Sequence, residues 1–230
     1  MEQVLALCSN IPLFAGVRQD ALPGLLACLH AEAHTYARGE TVAAKGERFD
    51  RMGIVLRGRV STVCEDAFGG RSILDTVEAG QLFGAAFGCS SNPRSLVAVI
   101  AQTDALVLRL DTARVLAPCE QGCTAHTCLP RNMVGILAEK YVAQNRKMIH
   151  LCGRTTRRKL LSYLSECMDR AGGNPFSVPF TQQELADYLF LDRSGLSTEL
   201  NKLKKEGLLR SENGQFSLQV SSCAGYDCDA

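Results

Sequence analysis

The spacing of apolar positions changes twice along the chain and divides it into three regions. Residues 1–30 read as helical, with a turn at Ile11-Pro12. From Thr35 to Leu110, short β-branched runs such as RSILDTV and ALVLRL are separated by glycines, which is typical of a small antiparallel sandwich or barrel. Beyond Pro130 the spacing becomes helical again.

A long helix is predicted from Pro130 to Cys152. Its apolar positions alternate in steps of three and four, as in a coiled-coil seam, with one polar residue among them: Val134, Leu137, Tyr141, Gln144, Met148 and Leu151. This pattern favours a parallel homodimer. The alternative is a single helix lying on its own β domain.

Phe180–Leu209 predicts two helices joined by a tight turn. Thr181 is expected to cap the first helix, and Glu184 to complete a capping box. Asp192 is expected to cap the second helix, and Gly207 to end it. The apolar positions of the second helix share one face: Leu196, Leu200 and Leu203. A hairpin turn is predicted at Asn213-Gly214. The unit is therefore predicted to be a winged helix-turn-helix.

Polar side chains dominate the remaining surface of this predicted unit. Hydroxyl, amide and guanidinium groups read base edges in the major groove, and lysines suit phosphates. The residues expected to contact double-stranded DNA are Thr181, Gln182, Arg193, Ser194, Ser197, Thr198, Asn201, Lys202, Lys204 and Lys205. Two alternatives stay open: an ordinary helical hairpin with a solvated face, and an adaptor that uses these helices for protein contacts.

Charge supports nucleic-acid binding once it is divided along the chain. The net charge is +1, but residues 139–210 carry 13 Lys/Arg against 8 Asp/Glu. The chain is 46% hydrophobic, yet no apolar run approaches the roughly 20 residues of a membrane span. The N-terminus lacks a basic signal-peptide region, so a cytoplasmic location is expected.

The order of these segments resembles the Crp/Fnr family of bacterial regulators. The most specific pieces are GIVLRGRV, EAGQLFGAAFG with RSLVAVIAQTDALVLRL, and TQQELADYLFLDRSGLSTELNKLKKEGLL. The resemblance implies an α+β chain with a cyclic-nucleotide-binding-like β-roll, a double-stranded β-helix, in residues 1–129. It also implies a dimerisation helix in 130–152, a winged helix-turn-helix in 153–220 and a flexible tail in 221–230.

This resemblance further implies an effector-responsive homodimer that binds a pseudo-palindromic operator. RNA polymerase is an expected partner if the protein is an activator. The implied effector site comprises Gly84, Ala85, Arg94 and Ser95. Cyclic-nucleotide sensors of the family typically carry Gly-Glu where this chain has Gly84-Ala85, so the ribose-binding carboxylate is missing. Cyclic AMP is therefore disfavoured, whereas the Arg-Ser pair retains chemistry suited to another small anion.

The recognition helix also departs from the family pattern. Thr198 stands where a basic residue is often found, and Phe190 stands in the turn where glycine is common. If Phe190 has a positive φ, strain of about 1–3 kcal/mol is expected to be offset by burial of its ring.

Four potential metal or redox ligands lie close together just before the long helix: Cys119, Cys123, His126 and Cys128. Their spacing fits no standard zinc motif. Three interpretations compete: a turn of partly buried residues, a thiol/disulfide switch, and a metal, haem or iron–sulfur site. A redox-sensing regulator is accordingly the main alternative function.

A cupin-like β-barrel enzyme is a remote alternative, because Thr35–Leu110 contains no histidine to bind a metal. The protein is expected not to be an enzyme.

Overall fold

The structure is a computed structural model that describes residues 2–65, 71–117, 124–212 and 214–219. The chain divides into two compact units, Met1–Tyr141 and Val142–Ala230. The helices are α1 (Glu2–Cys8), α2 (Leu22–Cys28), α3 (Ala85–Gly88), α4 (Thr112–Leu116), α5 (Leu129–Leu151), α6 (Thr156–Ala171), α7 (Gln182–Leu189) and α8 (Arg193–Lys205). The strands are β1 (Glu32–Tyr36), β2 (Thr41–Ala43), β3 (Arg51–Arg57), β4 (Arg59–Glu65), β5 (Arg71–Glu78), β6 (Leu82–Phe83), β7 (Ala98–Ala101), β8 (Ala105–Asp111), β9 (Phe176–Ser177), β10 (Leu209–Glu212) and β11 (Gln215–Leu218).

The first unit contains two antiparallel four-stranded sheets. Their strand orders are β1-β8-β3-β6 and β2-β7-β4-β5. Most residues of the central strands β3 and β8 are buried, on both faces of their sheet, which explains the apolar runs MGIVL and ALVL. On β8, Val107 faces the interior between the sheets, while Leu108 and Leu110 face the core formed with the N-terminal helices. The glycine-punctuated sequence therefore forms the expected β-roll, and the α+β fold class is confirmed.

Helix α5 runs continuously from the first unit into the second. It begins and ends one residue earlier than the sequence predicts. The division between the two compact units falls inside this helix, between Tyr141 and Val142. At its start, Leu129 and Met133 are buried against the N-terminal helices.

The predicted coiled-coil seam divides into two kinds of position. Val134, Tyr141 and Met148 are largely exposed along α5, as an unpartnered seam requires. Leu137 instead packs partly against the core of the first unit, so less of its side chain is available to a seam. The structure exposes a neighbouring pair in its place, Val142 and Ile149.

The second unit places helices α6, α7 and α8 beside a three-stranded sheet of order β10-β11-β9. The predicted hairpin is confirmed, because Glu212 pairs with Gln215 and Gly214 adopts a φ of +78°. Residue 213 and the predicted tail at 221–230 lie outside the described residues. Within the described ranges, no helix has the length and apolar character required to cross a bilayer.

Candidate nucleic-acid interface and effector site

Helices α7 and α8 are fixed by the caps that the sequence predicts. Thr181 accepts a hydrogen bond from the Glu184 backbone, and Glu184 accepts one from the Thr181 backbone, which completes the capping box. The Asp192 carboxylate accepts from the Gly195 N–H at 3.0 Å. Hydrogen bonds to this carboxylate from Ser194 and from backbone N–H groups hold the pKa of Asp192 below its usual value. Both helices therefore begin at defined positions.

One face of α8 is committed to the core. Leu196, Leu200 and Leu203 are buried against α6 and α7. The rest of the α8 surface and the start of α7 leave the predicted DNA-contacting residues accessible. Thr181, Gln182, Arg193, Ser194, Thr198, Asn201, Lys202, Lys204 and Lys205 are exposed, and Ser197 is half-buried. Nine of the ten candidates therefore lie at the surface of this unit.

The exposed polar groups of α8 are not equally available. The Ser194 hydroxyl donates to the Asp192 carboxylate, and the Thr198 hydroxyl donates to the Ser194 carbonyl at 2.9 Å. By contrast, Arg193 and Asn201 make no side-chain hydrogen bond with any of the described residues. Their guanidinium and amide groups are the ones that bind guanine and adenine edges bidentately.

A pair of basic residues on α6 anchors the helix-turn-helix, and the sequence reading did not find them. Arg157 donates to Glu206 at 3.0 Å and to Glu199 at 3.4 Å, which ties α6 to α8. Lys159 donates to the Leu189 carbonyl at 3.3 Å, at the end of α7. These two positive charges are thus engaged within the protein. The only sign of them in the sequence is their position in the basic segment RTTRRK, residues 154–159.

The turn between the two helices contains strained backbone. Phe190 adopts a φ of +50° and a ψ of 54°, the left-handed conformation that glycine favours. The expectation that its ring would be buried is wrong, because the residue is 39% exposed. The ring instead lies under the Lys147 ammonium of α5, with the nitrogen 4.9 Å from the ring centroid. The same ammonium lies 4.9 Å from the Tyr188 ring, so a shared cation–π contact supports the turn.

The four predicted effector residues lie in two segments that both contact residues 46–50. Gly84 has a φ of +76° at the start of α3, and a Cβ there would lie 2.2 Å from the Phe49 ring. Ala85 is buried beside it. The Arg94 guanidinium donates to the Gly46 carbonyl at 3.1 Å and remains exposed.

The Ser95 hydroxyl is not presented to a ligand. Ser95 is 2% exposed, and its hydroxyl donates to the Val97 carbonyl at 2.6 Å. The hydroxyl also accepts from the Val97 N–H at 3.2 Å. Of the Arg-Ser pair, only Arg94 is therefore available to an anion.

A further charged group in the β-roll escaped the sequence reading. Arg109 lies on β8 with its guanidinium carbon 5.7 Å from the Phe49 ring centroid, and it donates to the Val42 carbonyl at 3.3 Å. Its buried Nε has no hydrogen-bond partner among the described residues. A single arginine inside the apolar run ALVLRL was the available signal.

The Cys/His cluster is only partly described. Cys119 and Cys123 lie outside the described residues. His126 is 4% exposed, and the Cys128 thiol donates to the Ala125 carbonyl at 3.2 Å. The described part of the chain contains no group of three or more His, Cys, Asp or Glu side chains that could hold a metal ion. The metal or redox role of this segment stays a prediction.

Comparisons with known proteins match both units. A family model for the cyclic nucleotide-binding domain matches residues 33–121, and one for the Crp-like helix-turn-helix domain matches residues 158–221. A search of curated proteins finds no match.

Solved structures share the fold at low sequence identity. FixK2 from Bradyrhizobium japonicum is 22% identical, with a TM-score of 0.54 over 83% of this chain and 93% of its own. The c-di-GMP responsive global regulator CLP of Xanthomonas campestris is 17% identical, with a TM-score of 0.59 over 86% of this chain and 100% of its own. A CooA mutant from Carboxydothermus hydrogenoformans is 19% identical, with a TM-score of 0.61 over 86% of each chain. The two matched domains favour an effector-controlled regulator over the redox alternative.

Proposed function

Because this chain belongs to the Crp/Fnr family of DNA-binding transcriptional regulators, we propose that α8 reads its operator and that α5 forms its dimer. The observation that carries the proposal is the division of α8 into two faces. Leu196, Leu200 and Leu203 hold one face in the core, while the other presents Arg193 and Asn201 without internal partners among the described residues.

Specific readout in this proposal comes from Arg193 and Asn201. The guanidinium suits the O6 and N7 atoms of guanine, and the amide suits N6 and N7 of adenine. Lys204 and Lys205, exposed at the end of α8, suit phosphates. Lys202 is less available, since its ammonium lies 3.9 Å from the Glu199 carboxylate.

Dimerisation in this proposal uses the exposed apolar side chains of α5. Large apolar groups at solvent-exposed helix positions mark a surface that a partner covers. A second copy of α5 fits this role, since a parallel pair would bring Tyr141 and Met148 of the two chains together. Two recognition helices one turn of DNA apart would then favour a pseudo-palindromic operator.

The effector in this proposal is a small anion that contacts Arg94. Its guanidinium is exposed and oriented by the Gly46 carbonyl. A cyclic nucleotide is the weaker candidate, because Ala85 offers no carboxylate and the Ser95 hydroxyl is occupied by Val97. Calorimetric titration with cyclic AMP and with candidate anions, on the protein and on Arg94→Gln, tests this assignment. Binding that Arg94→Gln leaves unchanged would remove Arg94 from the site.

The central test is selection of bound sequences from random double-stranded DNA, followed by affinity measurements. Arg193→Ala and Asn201→Ala should each weaken binding to the selected site by about 5- to 150-fold and relax preference at one base pair. Arg18→Ala is the matched control, because Arg18 is an exposed arginine of the first unit paired with Asp20. Failure to enrich any sequence, or equal affinities for all variants, would contradict the proposal. Transcription in vitro with RNA polymerase then distinguishes activation from repression.

A further inference from the structure

We infer that Thr198 recognises a thymine in the operator through its methyl group. The inference rests on the proposed function, because it needs α8 in the major groove. Thr198 is exposed, and it lies one residue beyond Ser197 and three before Asn201 on the accessible side of α8. Its side chain combines a hydroxyl and a methyl on one carbon, so the orientation of the first determines what the second can reach.

The hydroxyl of Thr198 is turned toward its own helix. Its Oγ1 donates to the Ser194 carbonyl, four residues earlier, at 2.9 Å. A hydroxyl carries a single hydrogen, so this bond leaves none for an acceptor on a base. The hydroxyl and the methyl occupy different staggered positions around Cβ, so when Oγ1 points toward the Ser194 carbonyl, Cγ2 points away from it.

The neighbouring hydroxyl does not supply the missing donor. Ser194, one helical turn earlier, donates its own hydrogen to the Asp192 carboxylate that caps the helix. Breaking that bond would also disturb the cap, in which the Gly195 N–H donates to the same carboxylate at 3.0 Å. Ser194 and Thr198 lie four residues apart on the same side of α8, and both of their hydroxyl hydrogens are therefore used in hydrogen bonds within the protein.

An exposed methyl group has one complementary feature in the major groove. Among the four bases only thymine presents a methyl there, at C5, and apolar contact with it is an established mode of readout. The side chains that recognise bases by hydrogen bonds are then Arg193 and Asn201, which lie beside Ser194 and Thr198 on α8. The expected half-site therefore contains a thymine whose methyl group contributes to affinity, beside base pairs read by those two residues.

The test uses the full-length protein and the operator selected as described above. Each thymine of the selected half-site is replaced in turn by deoxyuridine, which lacks only the C5 methyl. Affinity should fall by about fourfold per half-site at one thymine, the factor expected for burial of one apolar carbon. Failure to select an operator would contradict the proposed function itself. A selected operator without any methyl-dependent thymine would overturn only the present inference.

Two variants assign the effect to Thr198. Thr198→Val keeps a methyl and removes the hydroxyl, so it should retain affinity and discriminate thymine from uracil. Thr198→Ser keeps the hydroxyl and removes the methyl, so it should bind about fourfold more weakly per half-site and lose that discrimination. All three residues have similar helix propensities, and circular dichroism checks that α8 is retained. The opposite result would overturn the inference. If Thr198→Val weakens DNA binding while Thr198→Ser leaves it unchanged, the hydroxyl and not the methyl contacts the base.

Discussion

The imidazole Nε2 of His150 lies 2.5 Å from the Glu166 carboxylate, which joins the end of α5 to α6. The other ring nitrogen, Nδ1, lies 2.9 Å from the Ser162 hydroxyl. His150 is 3% exposed, and its ring packs edge-on against Tyr163, with the ring centroids 5.7 Å apart. Arg170 holds the remaining oxygen of Glu166. A buried histidine with two side-chain partners thus fixes the end of α5 within the second unit.

We predict that His150→Leu lowers the free energy of unfolding of the second unit by about 2 kcal/mol. The change removes the partner of the half-buried Ser162 hydroxyl and of one carboxylate oxygen of Glu166. A hydrogen bond between neutral groups contributes about 0.5–1.5 kcal/mol, and one to a charged group about 1.5–3 kcal/mol. Hydrogen exchange of the α6 amides should accelerate by about 30-fold. His34→Leu is the matched control, since His34 lies on the exposed strand β1 and should shift stability by less than about 0.5 kcal/mol. Equal protection of α6 in both variants would contradict this role.

The same cluster predicts a loss of stability in acid. Burial alone raises the pKa of Glu166, but hydrogen bonds and positive charge from Arg170 and His150 outweigh it, and the net pKa lies below the ordinary 4.5. Folding therefore gains stability from the ionised carboxylate above about pH 4.5. That gain is lost as the pH falls through the lower pKa of the folded protein.

Comparison of the protein with Glu166→Gln isolates this contribution. Unfolding of the second unit is followed at pH 6 and again below pH 4. The stability difference between the two proteins should shrink on acidification, because protonated Glu166 resembles glutamine. Asp192 and Glu206, whose pKa values are also lowered, are present in both proteins, so their effects cancel. A difference that stays constant with pH would show that Glu166 contributes nothing through its charge.

The exposed apolar face of α5 predicts that charge there dissociates the dimer. Tyr141→Glu and Met148→Glu would each bring two carboxylates together across a symmetric interface and remove apolar contact. We expect dissociation constants to rise at least 100-fold, and sedimentation at micromolar concentration should detect monomers. Ala143→Glu is the control, since Ala143 is exposed on the opposite side of α5. Dimers in all three variants would exclude this face as the interface.

Local sequence rules were sufficient for the helix-turn-helix. Thr181, Glu184 and Asp192 act on backbone groups within three residues, so their roles follow from the identity of close neighbours. The β-roll was also predictable, because glycine turns and alternating apolar residues specify antiparallel strands. At Phe190, the glycine common at this position in the family indicated a positive φ. The sequence did not indicate that Lys147 would contact the ring.

Long-range pairings could not be predicted from the sequence. Arg157 finds Glu206 across 49 positions, and Lys147 reaches the Phe190 ring across the junction between helices. The choice among many chemically equivalent partners depends on tertiary packing, which a periodic pattern does not encode. For the same reason the sequence assigned Leu137 to a coiled-coil seam, whereas the first core competes for that side chain.

Gly58 lies where the chain passes from one sheet of the β-roll to the other. It lies between β3 and β4 with a φ of +80°, and a Cβ there would lie 2.2 Å from the Asp104 carbonyl oxygen. Gly80 has a φ of +86° but no atom within 4 Å of its Cβ position. The two glycines thus share the backbone requirement and differ in the steric one.

We predict that Gly58→Ala destabilises the first unit by about 2 kcal/mol more than Gly80→Ala. Both substitutions strain a left-handed backbone, at a cost of about 1–2 kcal/mol each. Only Gly58→Ala must also displace the backbone at Asp104 and Ala105, and such overpacking costs roughly 1–3 kcal/mol. Hydrogen exchange of the amides in β3 and β8 measures the loss. Equal destabilisation by the two substitutions would mean that the turn relaxes and that only the φ requirement selects glycine at position 58.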